Sequence, residues 1–215
     1  MKHKEPIVLI GGGGHCRSCI DVIEEEGKYT IAGIVARDQL HSEKVSGYEI
    51  IGTDADLPRL VKECRNFLIA FGQIRSSHER MSYFRRLEEL GATMPVIVSP
   101  YARVSRHART EGGTIVMHNA VINSGVCIGR NCIINTGALV EHDATVGDCC
   151  HIAPAAVVNG GVTIGRGSFV GSNAVLKEYL TIGAEVVIGM GAVVGEDIPE
   201  AATVTGNPAC NRGRL

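Results

Sequence analysis

Residues 116–163 decide the fold, and in blocks of six they read VMHNAV INSGVC IGRNCI INTGAL VEHDAT VGDCCH IAPAAV VNGGVT. Every block starts with an aliphatic residue, and the rhythm continues unbroken to Val194. A period of six residues held over this length predicts a repeat architecture. Each hexapeptide is expected to form one face of a triangular coil, with its branched side chain inward and about 18 residues in each turn.

A second register supports the coil, because the position two residues before each aliphatic residue is small or apolar. The repeat extends backwards through Val98 and Val104, with an irregularity expected at Glu111-Gly112-Gly113. Glycines that recur at the longer period are expected at corners that need an unusual φ, which only glycine adopts freely; they are Gly129, Gly147, Gly165 and Gly183.

Residues before the repeat alternate between strand-like and helix-like patterns. The predicted strands, which would form a parallel sheet of about four, are Pro6–Ile10, Ile31–Val35, Phe67–Phe71 and Met94–Val98. Residue pairs with the spacing of a capping box are Thr53 with Asp56 and Ser76 with Glu79, and Gly91 is expected to end the helix that follows. We therefore expect a Rossmann-like α/β domain over residues 1–97 and a left-handed parallel β-helix with a C-terminal tail over residues 98–215.

The composition excludes several classes of function. A net charge of −2 and a pI near 6.4 give no positive field for binding nucleic acid. No apolar stretch is long enough for a membrane span, and the start MKHKEP does not resemble a signal peptide. We expect a cytoplasmic protein with reduced thiols. Cys16 and Cys19 form a C-x-x-C, which occurs in redox sites and as half of a zinc site, but a second pair is missing.

A glycine-rich turn, Gly11-Gly12-Gly13-Gly14, separates the first strand from the first helix. Such a turn lets the backbone approach a phosphate at a helix N-terminus, although it also serves as a plain tight turn. Cys16 stands where the dinucleotide fingerprint requires glycine. His15 either donates to a phosphate or only starts the helix.

These motifs together resemble a known enzyme group over nearly the whole chain. They are the strand and turn Ile7-Val-Leu-Ile-Gly-Gly-Gly-Gly-His15, the hexapeptides with Val140-Glu141-His142-Asp143, and the ending Gly206-Asn207-Pro208-Ala209. The pattern is similar to the sugar acetyltransferases of the sialic-acid and bacillosamine O- and N-acetyltransferase group. The resemblance implies homotrimers with active sites between neighbouring prisms, acetyl-CoA as co-substrate, and no metal.

The resemblance assigns the role of catalytic base to His142. A neutral imidazole is suited to taking a proton near pH 7 from an attacking amine or hydroxyl. Asp143 is expected to orient the ring, with Glu141 as the competitor for that task. The alternative is that His142 and Asp143 are solvated corner residues.

The same resemblance implies contacts with both substrates. Acetyl-CoA is expected to contact His151, unless this is an outward surface histidine, and the backbone on successive coils along one groove, at Gly160, Ser172 and Met190. For the sugar nucleotide the implied residues are Gly13, Gly14, His15 and Gly72. The acidic residue expected after strand two is missing, so either Asp38 replaces it or Arg37 binds a phosphate.

The expected reaction is therefore acetyl transfer from acetyl-CoA to the amino group of a nucleotide-linked amino sugar. Three alternatives remain open. One is O-acetylation of the sialic-acid type. Another is a γ-type carbonic anhydrase, using imidazoles from His107, His118, His142 and His151. The third is a scaffold that binds a nucleotide without catalysis. The sequence leaves the nucleotide base, uridine or guanosine, undecided.

Overall fold

A computed structural model describes residues 4–37, 44–211 and 213 of the chain. An α/β unit comes first and a left-handed parallel β-helix follows, which confirms the predicted fold class. Within the described residues, no helix combines the length and the apolar character needed to cross a bilayer.

The α/β unit is a parallel sheet with helices on both sides. Its strands are β1 (Glu5–Ile10), β2 (Tyr29–Val35), β3 (Ile50–Gly52) and β4 (Asn66–Ile69), in the spatial order β3-β2-β1-β4. Its helices are α1 (Gly14–Glu26), α2 (Leu57–Glu63) and α3 (His78–Glu89), with a short 3-10 helix at Asp54–Asp56. Side chains of β1 alternate, so that Ile7 and Leu9 pack with α1 whereas Val8 and Ile10 pack with α2 and α3.

The fourth strand of this sheet differs from the prediction. Met94–Val98 was expected to complete the sheet, but Ile50–Gly52 does so, and Ile97–Val98 is the first strand of the β-helix. Thr93 makes only a single parallel bridge to Asn66. Two residues later Pro95, which has no N–H to donate, prevents that pairing from continuing as a regular ladder.

Two of the three predicted helix signals are confirmed. The capping box of Thr53 and Asp56 is formed, with the Thr53 N–H donating to Asp56 Oδ2 at 2.9 Å. Gly91 has a φ of +81° just after α3, and its N–H donates to the Glu88 carbonyl at 2.9 Å. The capping box of Ser76 and Glu79 was wrong. Ser76 Oγ accepts instead from the His78 N–H, and the Glu79 carboxylate pairs with Arg37.

The β-helix has three faces made of two-residue strands. The face that contacts the α/β unit, called the docked face, consists of Ile97–Val98, Ile115–Val116, Ile133–Ile134, His151–Ile152, Phe169–Val170 and Val187–Ile188, extended by Thr203–Thr205 and Cys210–Asn211. The aliphatic face consists of Arg103–Val104, Val121–Ile122, Leu139–Val140, Val157–Val158, Val175–Leu176 and Val193–Val194. The threonine face consists of Arg109–Thr110, Cys127–Ile128, Thr145–Val146, Thr163–Ile164 and Thr181–Ile182.

The core of the coil confirms the hexapeptide pattern. The second residue of each strand points inward, and from Val116 to Val194 each of these side chains is at most 1% exposed. The small residues two positions earlier fill the corners of the same core. The irregularity expected at Glu111-Gly112-Gly113 is not observed, because the strands on either side keep the six-residue spacing.

The backbone conformation at the corners repeats every six residues, whatever the residue type. Every sixth residue from 113 to 191 has a positive φ, and this set includes Asn131, Asp143 and Tyr179 as well as glycines. The four glycines predicted to need an unusual φ are not in this set, so that prediction was wrong. These positions need glycine because the next coil lies too close for a side chain. A Cβ on Gly147, for example, would lie 2.7 Å from the backbone nitrogen of Arg166 in the next coil.

The α/β unit is joined to the docked face by a continuous core. Cys19, Ile20 and Ile23 of α1 pack with Ile115 and Ile133 of the coil. Helix α3 also contacts the coil, at Asn131, through the side chain of Arg80. Arg80 is 1% exposed, and its guanidinium donates to Asn131 Oδ1 at 2.6 Å and to the Asn131 carbonyl at 3.0 Å.

The need for glycine where successive coils approach each other can be tested with a matched pair of substitutions. We expect Gly147→Ala to lower the free energy of unfolding by about 1–3 kcal/mol, because the added methyl group forces two coils apart. Gly195→Ala is the control, because its Cβ would meet no atom within 4 Å. Urea denaturation measures both. An equal stability of the two variants would contradict the stacking argument.

Candidate active site

His142 lies at the corner between the aliphatic face and the threonine face, which we call the base corner. Its side chain is 54% exposed, and its Nδ1 lies 3.0 Å from Asp143 Oδ2. Asp143 reaches the ring of its own neighbour because its φ of +60° bends the chain at this point. The carboxylate thereby fixes the ring through Nδ1 and leaves Nε2 available to a substrate.

Glu141 plays a different part at this corner. Its Oε2 accepts from the backbone N–H of His142 at 3.2 Å. Of the two carboxylates that flank His142, only Asp143 contacts the imidazole. The structure thus distinguishes two residues that the sequence left as competitors.

Gly160 lies one coil further along the base corner, directly against the imidazole. A Cβ on Gly160 would be 2.7 Å from His142 Nε2. The neighbouring Gly161 N–H donates to the His142 carbonyl at 2.9 Å. Within the described part of the chain, the Gly160 N–H itself has no acceptor. A backbone donor is therefore available close to Nε2.

Ser172 and Met190 lie elsewhere. They belong to the corner between the docked face and the aliphatic face, called the α1 corner because α1 runs along it, with Asp21 Oδ2 2.8 Å from His118 Nε2. Gly160 and Ser172 are 12 residues apart, which is two faces of the triangle and not a full coil. Within one chain the three residues therefore do not share a corner, and their contacts with acetyl-CoA stay a prediction. The aliphatic face separates them, and the side chain of Met190 is 84% exposed.

His151 is buried on the docked face, where both ring nitrogens have partners. Its Nε2 lies 3.0 Å from Asn135 Nδ2, and its Nδ1 lies 2.8 Å from the Gln73 carbonyl. Asn135 Oδ1 accepts from the Thr136 N–H, so the amide nitrogen faces the ring and His151 carries its proton on Nδ1. Burial lowers the pKa of His151 to about 4 and keeps it neutral. Its contact with acetyl-CoA stays a prediction.

The predicted nucleotide residues fall into two groups. Gly13 and Arg37 line a cleft of about 280 Å³ at the ends of β1 and β2, and Gly14 begins α1 beside it with open space around its Cα. His15 points inward, its ring centroid 6.4 Å from that of His151. Gly72 is close to the same buried histidine. Burial lowers the pKa of His15 to about 3, and its Nε2 has no hydrogen-bond partner in the described structure. Asp38 lies outside the described residues.

The cleft also contains residues that the sequence did not identify. Asp54, Glu79 and Tyr83 line it together with Phe71. Asp54 follows β3, the strand that was missed, and side chains at the carboxyl ends of parallel strands meet at one edge of a sheet. Correct assignment of β3 would have pointed to Asp54.

Cys16 and Cys19 belong to the core of the α/β unit. Both are free thiols on α1, and burial raises their pKa, that of Cys16 to about 12. In the described residues, no group of three or more His, Cys, Asp or Glu side chains is arranged to hold a metal ion.

Two family models match the chain. The model described as the PglD N-terminal domain matches residues 6–86. The model described as bacterial transferase hexapeptide, with six repeats, matches residues 143–178. The two matches coincide with the α/β unit and with the middle of the β-helix.

Solved structures match over the full length. A complex of PerB from Caulobacter crescentus with CoA and GDP-perosamine is 34% identical, with a TM-score of 0.90 and coverage of 99% of each chain. A variant of the GDP-perosamine N-acetyltransferase from that organism, with one histidine replaced by alanine, is 33% identical, with a TM-score of 0.91 and coverage of 99% of this chain and 98% of the other. The acetyltransferase domain of PglB from Neisseria gonorrhoeae, in complex with acetyl-CoA, is 33% identical, with a TM-score of 0.89 and coverage of 97% of this chain and 100% of the other.

Identity above 30% over whole chains confirms the resemblance read from the motifs. The chain belongs to the hexapeptide-repeat family of sugar N-acetyltransferases that includes the Caulobacter GDP-perosamine enzyme and the Neisseria PglB domain.

Proposed function

We propose that this protein transfers the acetyl group of acetyl-CoA to the amino group of a nucleotide-linked amino sugar, with His142 as general base. The observation that carries the proposal is the His142 imidazole, held through Nδ1 by Asp143 with its Nε2 beside Gly160. Relatives that match the whole chain bind CoA with GDP-perosamine, or acetyl-CoA. Acetyl-CoA is available in the cytoplasm, and free thiols fit that compartment, so we place the reaction there.

The reaction follows from this geometry. The acceptor amine attacks the thioester carbonyl, and Nε2 of His142 takes the proton that the nitrogen loses. Asp143 stabilises the imidazolium that forms, as an adjacent carboxylate does in other acyl-transfer sites. The Gly160 N–H donates to the oxyanion of the tetrahedral intermediate. Collapse of the intermediate breaks the C–S bond, and the imidazolium returns the proton to the CoA thiolate.

A homotrimer fits the outward side chains of the three faces. The docked face is covered by the α/β unit, and the threonine face is polar. The aliphatic face carries Val121, Leu139, Val157, Val175 and Val193 outward, and Val193 is 37% exposed. Such an apolar row favours packing against further copies of the chain. A three-fold axis beside this face closes a ring in which every subunit makes the same contact.

The same ring completes the active site. The base corner and the α1 corner border opposite edges of the aliphatic face, so three-fold packing brings the base corner of one subunit to the α1 corner of the next. Ser172 and Met190 of that neighbour then face His142 across a groove for acetyl-CoA. The glycine turn before the neighbour's α1 approaches from the same side. Within one chain, the α/β unit covers a different face from the corner that holds His142.

The general base can be tested by truncation. We expect His142→Ala to lower kcat by about 10²- to 10⁴-fold, the usual contribution of a positioned base. The half-exposed ring contributes little packing, so the trimer and its melting temperature should remain unchanged. Release of CoA from acetyl-CoA and a nucleotide-linked amino sugar measures the rate. His107→Ala, at an exposed position two coils away on the same corner, is the control. Turnover of His142→Ala within a few-fold of the parent enzyme would contradict the role.

The subunit contact can be tested by placing a charge on each open face. We expect Val157→Glu to dissociate the trimer and abolish activity, because a carboxylate in an apolar interface loses its hydration. Thr163→Glu is the matched control on the same coil, where the threonine face stays open to solvent. Light scattering after size-exclusion chromatography gives the mass. A trimeric and active Val157→Glu protein would refute the proposed interface.

A further inference from the structure

The cleft is lined by one cation, Arg37, and two carboxylates, Asp54 and Glu79, and one side of α3 contacts both Arg37 and Asp54. Arg37 pairs with Glu79, and Asp54 Oδ2 accepts from the Tyr83 hydroxyl at 2.5 Å. Glu79 and Tyr83 are four residues apart, so they lie on the same side of the helix. The Arg37 guanidinium also lies near the Tyr83 hydroxyl and is therefore close to the Asp54 carboxylate.

Asp54 is fixed at two points and can still accept two hydrogen bonds, because among the described residues Oδ1 is free and Oδ2 keeps a second lone pair. Arg86 Nη2 donates to its backbone carbonyl at 2.8 Å, and Tyr83 holds Oδ2. Burial, and to a smaller extent the hydrogen bond to the Asp54 carboxylate, raises the pKa of Tyr83 to about 12. The hydroxyl therefore keeps its proton and remains a donor. In the described residues, Asp54 Oδ1 accepts no hydrogen bond. A carboxylate held in this way has its acceptors oriented before a ligand arrives.

The rest of the cleft suits a flat aromatic ligand. Ile10, Val35 and Ala36 supply apolar surface, and Phe71 meets Tyr83 edge to face with ring centroids 5.4 Å apart. The glycine turn at the other side of the cleft leaves open space over the N-terminus of α1. A base between these apolar walls and a phosphate near the glycines would match the two ends of a nucleotide.

We propose that the cleft selects a guanine nucleotide, with Asp54 accepting from the N1–H and the 2-amino group of the base and Arg37 donating to O6. This inference rests on the proposed function and names the base of the acceptor. Ionised carboxylates accept only, and guanidinium groups donate only. Guanine has two adjacent donors followed by an acceptor, which complements the carboxylate and guanidinium side by side.

The other bases do not match this pattern. Uracil has a single N–H between two carbonyl groups, so one carboxylate oxygen would face a carbonyl oxygen. Adenine and cytosine place a ring nitrogen acceptor beside their amino group, which again opposes the carboxylate. A site that leaves its buried polar groups unpaired with the wrong ligand discriminates strongly. The charges of Asp54 and Arg37 therefore weaken the binding of these bases as well as strengthening that of guanine.

Calorimetric titration of the full-length protein with GDP, IDP and UDP tests the inference without requiring catalysis. We expect GDP to bind roughly 5- to 150-fold more tightly than UDP, the range for a bidentate contact to a base edge. IDP, which lacks the 2-amino group, should lie between them. UDP affinity equal to that of GDP would overturn the inference and leave the proposed acetyl transfer intact. Absence of binding by all three nucleotides would overturn both.

The Asp54→Asn variant is expected to switch its preference from GDP to XDP. A misfolded protein could lose affinity for GDP but would not gain affinity for XDP. Xanthine has a carbonyl in place of the 2-amino group of guanine, and an asparagine amide can donate to it. We expect the variant to lose affinity for GDP and to gain affinity for XDP, with the KM for acetyl-CoA unchanged. Glu89→Gln, which removes an exposed carboxylate from the end of α3 outside the cleft, should keep the preference of the parent protein. A variant that still prefers GDP over XDP would refute the role of Asp54.

Discussion

The stacking of short parallel strands at an interval of 18 residues constrains everything else in this molecule. Each strand bonds to the strands one coil before and after it, so residues 18 positions apart lie at the same place on the same face. Glycine at positions such as Gly147 lets successive coils approach within backbone contact. The stacking places Gly160 against His142 and gives the imidazole a backbone N–H nearby. The proposed chemistry at the base corner depends on this regularity more than on any local motif.

A second constraint fixes the α/β unit on the coil. Arg80 is buried, and its guanidinium donates to carbonyl groups of Ile69 and Phe71 at the end of β4 as well as to Asn131 in the coil. Burial lowers its pKa to about 10, which leaves it charged at neutral pH. The Arg80 charge thus links the sheet edge that forms the proposed nucleotide cleft to a defined corner of the coil. In the proposed trimer, the cleft then has a fixed position relative to the next subunit's His142.

The sequence predicts the coil well because its signal is repeated many times, and each inward aliphatic residue has the same environment. Signals that occur once are weaker. The three-residue strand Ile50–Gly52 has no distinct pattern, so it was missed and Met94–Val98 took its place. The left-handed conformation of Asp143 is set by the corner and not by its residue type, and the sequence therefore could not choose between Asp143 and Glu141. The separation of Gly160 from Ser172 was available from the 18-residue turn alone.

The central claim is that Nε2 of His142 takes the proton of the acceptor amine in a site completed by a neighbouring subunit. A crystal structure of the assembled protein with CoA and a nucleotide-linked amino sugar tests it most directly. The account predicts that the amine nitrogen lies about 3 Å from Nε2 of His142, with the nucleotide held by the α/β unit of the adjacent subunit. An amine bound out of hydrogen-bond reach of His142, or a nucleotide and catalytic base supplied by the same chain, would contradict it.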